Sequence, residues 1–158
     1  MEVSVRTARL TDVDAAVRVL TQDSVAGSPG SQDADHLRHL LFVPAATVVV
    51  AIANRRVVGV GILSIRPSVR SGPFVGVVDE LGTGTDGLAG DAEEPADAAL
   101  RGEAASRMLG QLIASARNKG CSRVEITDPL ASAEPALQEQ AGFERRGALM
   151  SRAVGLIG

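Results

Sequence analysis

The sequence is poor in aromatic residues, which make up 2% of its 158 residues: three Phe, no Trp and no Tyr. Its hydrophobic core must therefore be built from Val, Leu, Ile and Ala, and the hydrophobic content of 45% is ordinary for a globular protein. Without Tyr, the chain also lacks one residue type that serves enzymes as a general acid. A chain of this length can form one domain with a buried core.

The chain also lacks a cysteine framework, a strong positive charge and a long apolar run. The single Cys121 excludes an intramolecular disulfide network and a zinc site of several cysteines, and it fits a reducing compartment. The net charge of −3 leaves no dominant electrostatic footprint for nucleic acid. No apolar run approaches the ~20 residues that span a bilayer, and no signal peptide is recognisable. We expect a cytoplasmic protein that binds neither nucleic acid nor membranes.

Hydrophobic periodicity predicts alternating strands and helices in the first half of the chain. A strand is predicted at Val3–Arg6, then a helix in "LTDVDAAVRVL" capped by Thr11, then a second helix in "DADHLRHLL" that ends before Pro44. The segment "ATVVVAIANRRVVGVGILSI" predicts a hairpin with an "NRR" turn. A further strand is predicted from Phe74 to Leu81.

In the second half, a loop separates this strand from the longest helix. The loop is Gly-rich and acidic over 82–98, with no hydrophobic period, and Gly120 is predicted to stop the helix that follows it. Then come a strand in "SRVEIT", a short helix ended by Gly142 and a last strand in "FERRGALMSRAV". This order predicts a single-domain α/β fold with a mixed sheet and helices on both faces.

The segment "RGEAAS" (Arg101–Ser106) is a candidate anion site at the start of the longest helix. A helix begins with about four unpaired N–H groups and a partial positive charge, so its start attracts anions. Small residues let a phosphate approach the backbone, and the guanidinium of Arg101 can add a charge-assisted contact. The alternative is a helix start that binds nothing.

These segments resemble the GNAT superfamily of acyl-CoA-dependent N-acetyltransferases over essentially the whole chain. The resemblance rests on "VRTARLTDVDAAVRVL", "VVVAIANRRVVGVGIL", "RGEAASRMLGQLIASARNKGCSRVEI" and "ALQEQAGFERRG". The third is similar to the family's Arg/Gln-x-x-Gly-x-Gly/Ala loop and long helix, and the Gly142–Phe143 pair before a last strand is equally typical. The resemblance implies one acetyltransferase domain over 1–158, with a mixed, mostly antiparallel central sheet flanked by helices.

The resemblance also implies a reaction and its ligands. The cosubstrate would be acetyl-CoA, with no metal, and the acceptor a primary amine on a small molecule or peptide that attacks directly in a ternary complex. The pantetheine arm would run near Leu81. A homodimer is one assembly that the resemblance allows. The pyrophosphate would be held by Arg101, Gly102, Glu103, Ala104, Ala105 and Ser106.

Two acids, Asp79 and Glu80, end the strand before the acidic loop. In the family, an acid at this place accepts a proton from the substrate ammonium, so that a neutral amine attacks the thioester. Because neighbouring strand residues face opposite sides, at most one of the two is expected to face the cleft, and we prefer Glu80. The alternative is that both acids only lead the strand into the loop.

Several departures from the family pattern favour a second hypothesis, a catalytically impaired GNAT-fold module that binds CoA or a protein partner. Ala104 replaces a glycine, which is compatible with helical dihedrals but costly where φ is positive. Gln138 replaces a Tyr that protonates the leaving thiolate, so water, Ser132 or another donor would have to do so. Ala131 replaces an Asn.

Two further features each have a functional and a bland interpretation. The acidic insertion at 82–98 is either a solvated loop or a lid that attracts a cationic amine or guards the mouth of the CoA site. His36 and His39 lie three residues apart, as a metal-binding pair does, but a solvated helix face is the simpler interpretation.

Overall fold

The structure, a computed structural model, describes residues 2–21, 31–70, 72–84 and 95–126, together with Phe143 and Arg152. The predicted short helix before Gly142 lies outside these residues, as does the predicted last strand apart from Phe143 and Arg152. The described strands are β1 (Ser4–Thr7), β2 (Ala46–Ala53), β3 (Arg56–Pro67), β4 (Phe74–Thr83) and β5 (Cys121–Ile126). The described helices are α1 (Val13–Thr21), α2 (Ser31–Leu40) and α3 (Pro95–Asn118), with a 3-10 turn at Leu10–Asp12.

The five strands form one mixed sheet in the order β1-β2-β3-β4-β5. The first four pair antiparallel in chain order, whereas β4 and β5 pair parallel and are joined through α3. Alternating strand residues feed two core clusters, one that includes α3 and one that includes α1 and α2. The predicted α/β fold, with a mostly antiparallel sheet between helices, is thereby confirmed.

The strands present glycines to the side chains of helix α3. A Cβ added to Gly59 would lie 2.6 Å from Cε of Met108, and one added to Gly76 would lie 3.1 Å from Cβ of Ala116. Both are closer than ordinary side-chain contacts, so any side chain at these positions would push against α3. Because Gly59 and Gly76 have no side chains, Met108 and Ala116 of α3 can pack directly against the strands at these positions.

An ion pair fixes the start of α1 on the opposite face. The Arg6 guanidinium donates to the two carboxylate oxygens of Asp12 at 2.6 and 2.9 Å, and the Arg9 N–H donates to the same carboxylate at 2.8 Å. These hydrogen bonds hold the pKa of the buried Asp12 below its usual value. The prediction that Thr11 caps this helix is wrong, because Thr11 lies within the 3-10 turn and α1 begins only at Val13, directly after Asp12.

The predicted loop at 82–98 is too long at both ends. Gly82 and Thr83 continue the ladder with β3, opposite Val60 and Gly59, and α3 begins at Pro95. Proline is favoured at the first helical position because its missing N–H would be unpaired there anyway, and "ADAAL" then supplies good helix formers. The predicted stop at the other end is confirmed, since α3 ends at Asn118 and Gly120 has φ +85°.

Candidate functional site

A cleft of about 440 Å³ opens on the α1–α2 face of the sheet. Its walls come from the two helices, and its floor comes from β2, β3 and β4. The lining residues are Val17, Leu20, Thr21, Asp33, His36, Leu37, Leu40, Ala46, Ile62, Ser64, Asp79 and Glu80. Half of these side chains are apolar, and the polar half come from α1, α2 and two neighbouring strands.

Helix α2 turns one face toward the cleft. Asp33, His36, Leu37 and Leu40 follow the i, i+3, i+4, i+7 spacing of a single helix face, and Leu37 is buried. Sequence reasoning placed no functional residue at Asp33, although this spacing around the apolar Leu37 and Leu40 contains the signal. His39 is exposed and is not part of the lining.

A β-bulge directs both acids of β4 into the cleft. In the ladder, Ile62 pairs with Glu80 and Leu63 pairs with Val78, so Asp79 is an extra residue without a partner in that ladder. The flanking Val78 and Leu81 are buried in the α3-side cluster, while the two acids between them line the cleft. The expectation that at most one acid faces the cleft is therefore wrong, because the bulge interrupts strict alternation.

The two carboxylates differ in their surroundings. The Ser64 hydroxyl donates to Oδ2 of Asp79 at 2.6 Å, a contact that sequence reasoning did not identify. The pKa of Glu80 is raised, first by desolvation of its carboxyl group and second by the neighbouring charge of Asp79. A raised pKa makes a carboxylate a stronger base, so Glu80 is the better candidate for accepting a proton.

Among the described residues, the lining carries negative charge and no arginine or lysine. Asp33, Asp79 and Glu80 contribute three carboxyl groups. The guanidinium of Arg38, also on α2, lies 2.7 Å from the Asp35 carboxylate and 3.7 Å from that of Asp14, and none of these three residues lines the cleft. The cleft is thus suited to a cation with an apolar portion.

The predicted anion site does not have the expected geometry. Because α3 begins at Pro95, the N–H groups of Arg101–Ser106 lie beyond its first four residues and bond within the helix. Ala104 and Ala105 are 0% and 1% exposed and pack into the α3-side core. The placement of this segment at a helix start is wrong, and its backbone does not fit a pyrophosphate in this conformation.

The side chains of Arg101–Ser106 differ in their exposure to solvent. Gly102 and Glu103 are exposed, Arg101 and Ser106 are half-buried, and the Glu103 carboxylate pairs with the Arg107 guanidinium at 3.0 Å. Ala104 is helical, since among the described non-glycine residues positive φ occurs only in the Asn54–Arg55 turn. The cofactor-binding roles of all six residues remain predictions.

Strand β4 continues past its parallel partner. The described ladder between β4 and β5 ends at the Val78–Ile126 pair, whereas β4 runs on to Thr83. Leu81, predicted to lie beside the pantetheine arm, is in this extension, but its side chain is buried in the α3-side cluster. Gln138, Ser132 and Ala131 lie outside the described residues.

The described residues contain neither a candidate metal site nor a candidate membrane span. No group of three or more His, Cys, Asp or Glu side chains there is arranged to hold a metal ion. None of the helices in the described part of the chain is long and apolar enough to cross a membrane. Cys121 begins β5, is half-buried and packs against the α3-side core.

Comparison with known proteins gives structural matches but no sequence match. No family model and no curated protein matches the chain. A Trypanosoma brucei acetyltransferase has a TM-score of 0.71 at 17% identity, covering 97% of this chain and 100% of its own. Glucosamine-6-phosphate N-acetyltransferase from Arabidopsis thaliana has a TM-score of 0.71 at 13% identity, covering 98% of this chain and all of its own.

A third similar structure is an aminoglycoside acetyltransferase from an uncultured soil metagenomic sample, in complex with sisomicin. Its TM-score is 0.68 at 13% identity, and the match covers 97% of each chain. The chain has the GNAT fold. At these identities the likeness establishes the GNAT architecture, and the chemistry must be argued from the residues of the cleft.

Proposed function

We propose that this GNAT-fold protein is an N-acetyltransferase that transfers an acetyl group from acetyl-CoA to a primary amine bound in the cleft. The observation that carries the proposal is the β4 bulge, which brings Asp79 and Glu80 together into a cleft of a fold shared with several acetyltransferases. The acceptor would be a small molecule or peptide with an amine that reaches these acids.

In this proposal Glu80 is the general base. Its carboxylate accepts a proton from the substrate ammonium, and the neutral amine attacks the thioester carbonyl. The C–N bond forms, the C–S bond breaks, and the departing thiolate takes up the proton that the newly acylated nitrogen releases. Asp79, held by Ser64, contributes negative charge that keeps the ammonium close to Glu80.

The decisive experiment measures thiol release from acetyl-CoA with a panel of amines, in the wild type and in Glu80→Gln. We expect kcat to fall at least about 100-fold in the variant, the usual contribution of a positioned base. Glu125→Gln is the matched control, because Glu125 binds Arg66 and Arg123 on β3 and β5 and does not line the cleft. Equal losses in both variants would contradict a specific role for Glu80.

The pH profile gives a second test of Glu80. Because its pKa is raised, kcat/KM should begin to fall on the acid side at a pH above the ordinary glutamate value of 4.5. Glu80→Gln should remove this limb. The same raised pKa makes the folded state lose stability as pH rises from the unfolded to the folded pKa, so the variant should be at least as stable as the wild type at neutral pH.

The helical conformation of Arg101–Ser106 specifically favours a second candidate function, a GNAT-fold module without catalysis. Titration calorimetry with acetyl-CoA and with CoA separates the two. A ligand present at 100 times its Kd should stabilise the protein by ~2.7 kcal/mol, which a thermal melt detects. Binding without turnover across the amine panel favours the module, and absence of binding at millimolar acetyl-CoA contradicts the enzyme.

A further inference from the structure

We infer that the amine acetylated in this cleft carries a second positive charge, which is held by Asp33 of α2. The inference rests on the proposed function and adds the class of acceptor. It starts from the position of the acids: Asp79 and Glu80 belong to β4, whereas Asp33 belongs to the first turn of α2, and all three line one cleft of about 440 Å³.

The charges of the cleft are not balanced by the protein. No lysine or arginine is among the described lining residues, and the hydroxyl groups there are already engaged. Thr21 donates to the Val17 carbonyl at 2.8 Å, and Ser64 donates to Asp79. Asp35, the other acid in the first half of α2, has an arginine partner in Arg38. Carboxylates that share a cleft repel one another, and a bound cation relieves this repulsion.

The acids of the cleft stand on two elements, Asp33 on α2 and Asp79 and Glu80 on β4. The reacting amine must lie beside Glu80 on β4, where it loses its proton and its charge. The carboxylate on α2 then remains available for a group that stays cationic throughout the reaction. A substrate with two amines, one reacting and one held by Asp33, uses both acidic positions.

The lining around these acids determines the body of the substrate. Leu20, Leu37, Leu40 and Ile62 line the cleft with apolar surface. Methylene groups are stabilised when such surface takes them out of water. A linear α,ω-diaminoalkane, with an apolar chain between two cationic ends, is therefore the chemical class that the cleft fits. An anionic acceptor would meet three carboxyl groups and, among the described lining residues, no arginine or lysine.

The test compares α,ω-diaminoalkanes of three to eight carbons with n-alkylamines of the same lengths. We expect kcat/KM to peak at one diamine length, at least about tenfold above its matched monoamine, which is the effect of one charge-assisted hydrogen bond. Asp33→Asn should raise KM for that diamine about tenfold and leave its kcat unchanged. For the monoamine, KM should change less than for the diamine.

The control is Asp35→Asn, which removes the same charge from the same helix outside the cleft. Long-range electrostatics would affect both variants, whereas a direct contact affects only Asp33→Asn, and added salt should weaken a merely long-range effect. Equal use of diamines and monoamines, or an unchanged KM in Asp33→Asn, would overturn the inference while acetyl transfer itself stands.

If no amine is acetylated, the proposed function fails, and calorimetric binding decides the inference by itself. Tighter binding of the diamine than of the monoamine, lost in Asp33→Asn and kept in Asp35→Asn, would support it. Equal affinity of both amines for the wild type would overturn it.

Discussion

On one face of the sheet α3 lies directly against glycines and small side chains, whereas on the other face α1 and α2 leave a cleft of about 440 Å³. Both faces bury aliphatic residues of the same strands. The α3 side is closed by Gly59, Gly61 and Gly76, which let the helix approach. The α1–α2 side is held at its start by the Arg6–Asp12 pair and opens beside the β4 bulge.

The two faces of the sheet therefore have different roles: one is tightly packed and the other holds the cleft. A tightly packed layer behind β3 and β4 fixes the position of the strands, and a bulge in β4 then directs two acids away from that layer into the open side. A site held by rigid elements keeps its groups within the narrow tolerances that catalysis requires. Substitutions on each face can test this contrast between the closed and the open face.

The largest effect is expected from truncating a leucine on the closed face. Leu112→Ala should lower the free energy of unfolding by about 3 kcal/mol, because Leu112 of α3 is fully buried against the sheet and its truncation leaves a cavity. Leu40→Ala should cost about 1 kcal/mol, because Leu40 is half-buried and already borders the cleft. Urea unfolding measures both, and equal losses would contradict the contrast.

The next effect concerns the anchor of the open face. Asp12→Asn should lower stability by about 2 kcal/mol at pH 7, since it weakens two charge-assisted hydrogen bonds with Arg6. The folded state lowers the pKa of Asp12, so its contribution is present above the ordinary carboxyl value and is lost as pH falls through the lowered one. The difference in denaturant midpoint between the wild type and Asp12→Asn should be smaller at pH 3 than at pH 7. An equal difference at both pH values would contradict this assignment.

Much of this fold could be predicted from the sequence, because strands and helices carry their own hydrophobic periods. The hairpin of β2 and β3 follows from two β-branched runs. The end of α3 just before Gly120 follows from a glycine that takes positive φ. The two errors that matter most concern the site. The bulge at Asp79 is a property of pairing between strands, and the start of α3 at Pro95 was obscured by the acidic composition before it.

A smaller effect tests how closely α3 packs. Gly76→Ala should destabilise the protein by at least about 1 kcal/mol, because the new Cβ would lie 3.1 Å from Cβ of Ala116 and 3.2 Å from Cδ1 of Leu63. Gly110→Ala, in the same helix–sheet layer but on the exposed side of α3, meets no atom within 4 Å and should be stabilising. Thermal melts compare the two, and a neutral Gly76→Ala would mean that α3 moves away without cost.

The smallest effect addresses the segment that sequence reasoning placed at a helix start. Gly102 lies in the interior of α3, is exposed and has no neighbour within 4 Å of an added Cβ, so Gly102→Ala should stabilise the free protein by about 1 kcal/mol. Binding of acetyl-CoA adds a second measurement. If this turn of α3 must unwind to offer its N–H groups to a pyrophosphate, the same 1 kcal/mol opposes binding and the affinity falls about fivefold. Gly110→Ala, eight residues further along α3, is then the matched control, because it stabilises the helix where no unwinding is required. A loss confined to Gly102→Ala would identify Arg101–Ser106 as a donor site formed on binding, whereas equal affinities would place the donor away from this backbone.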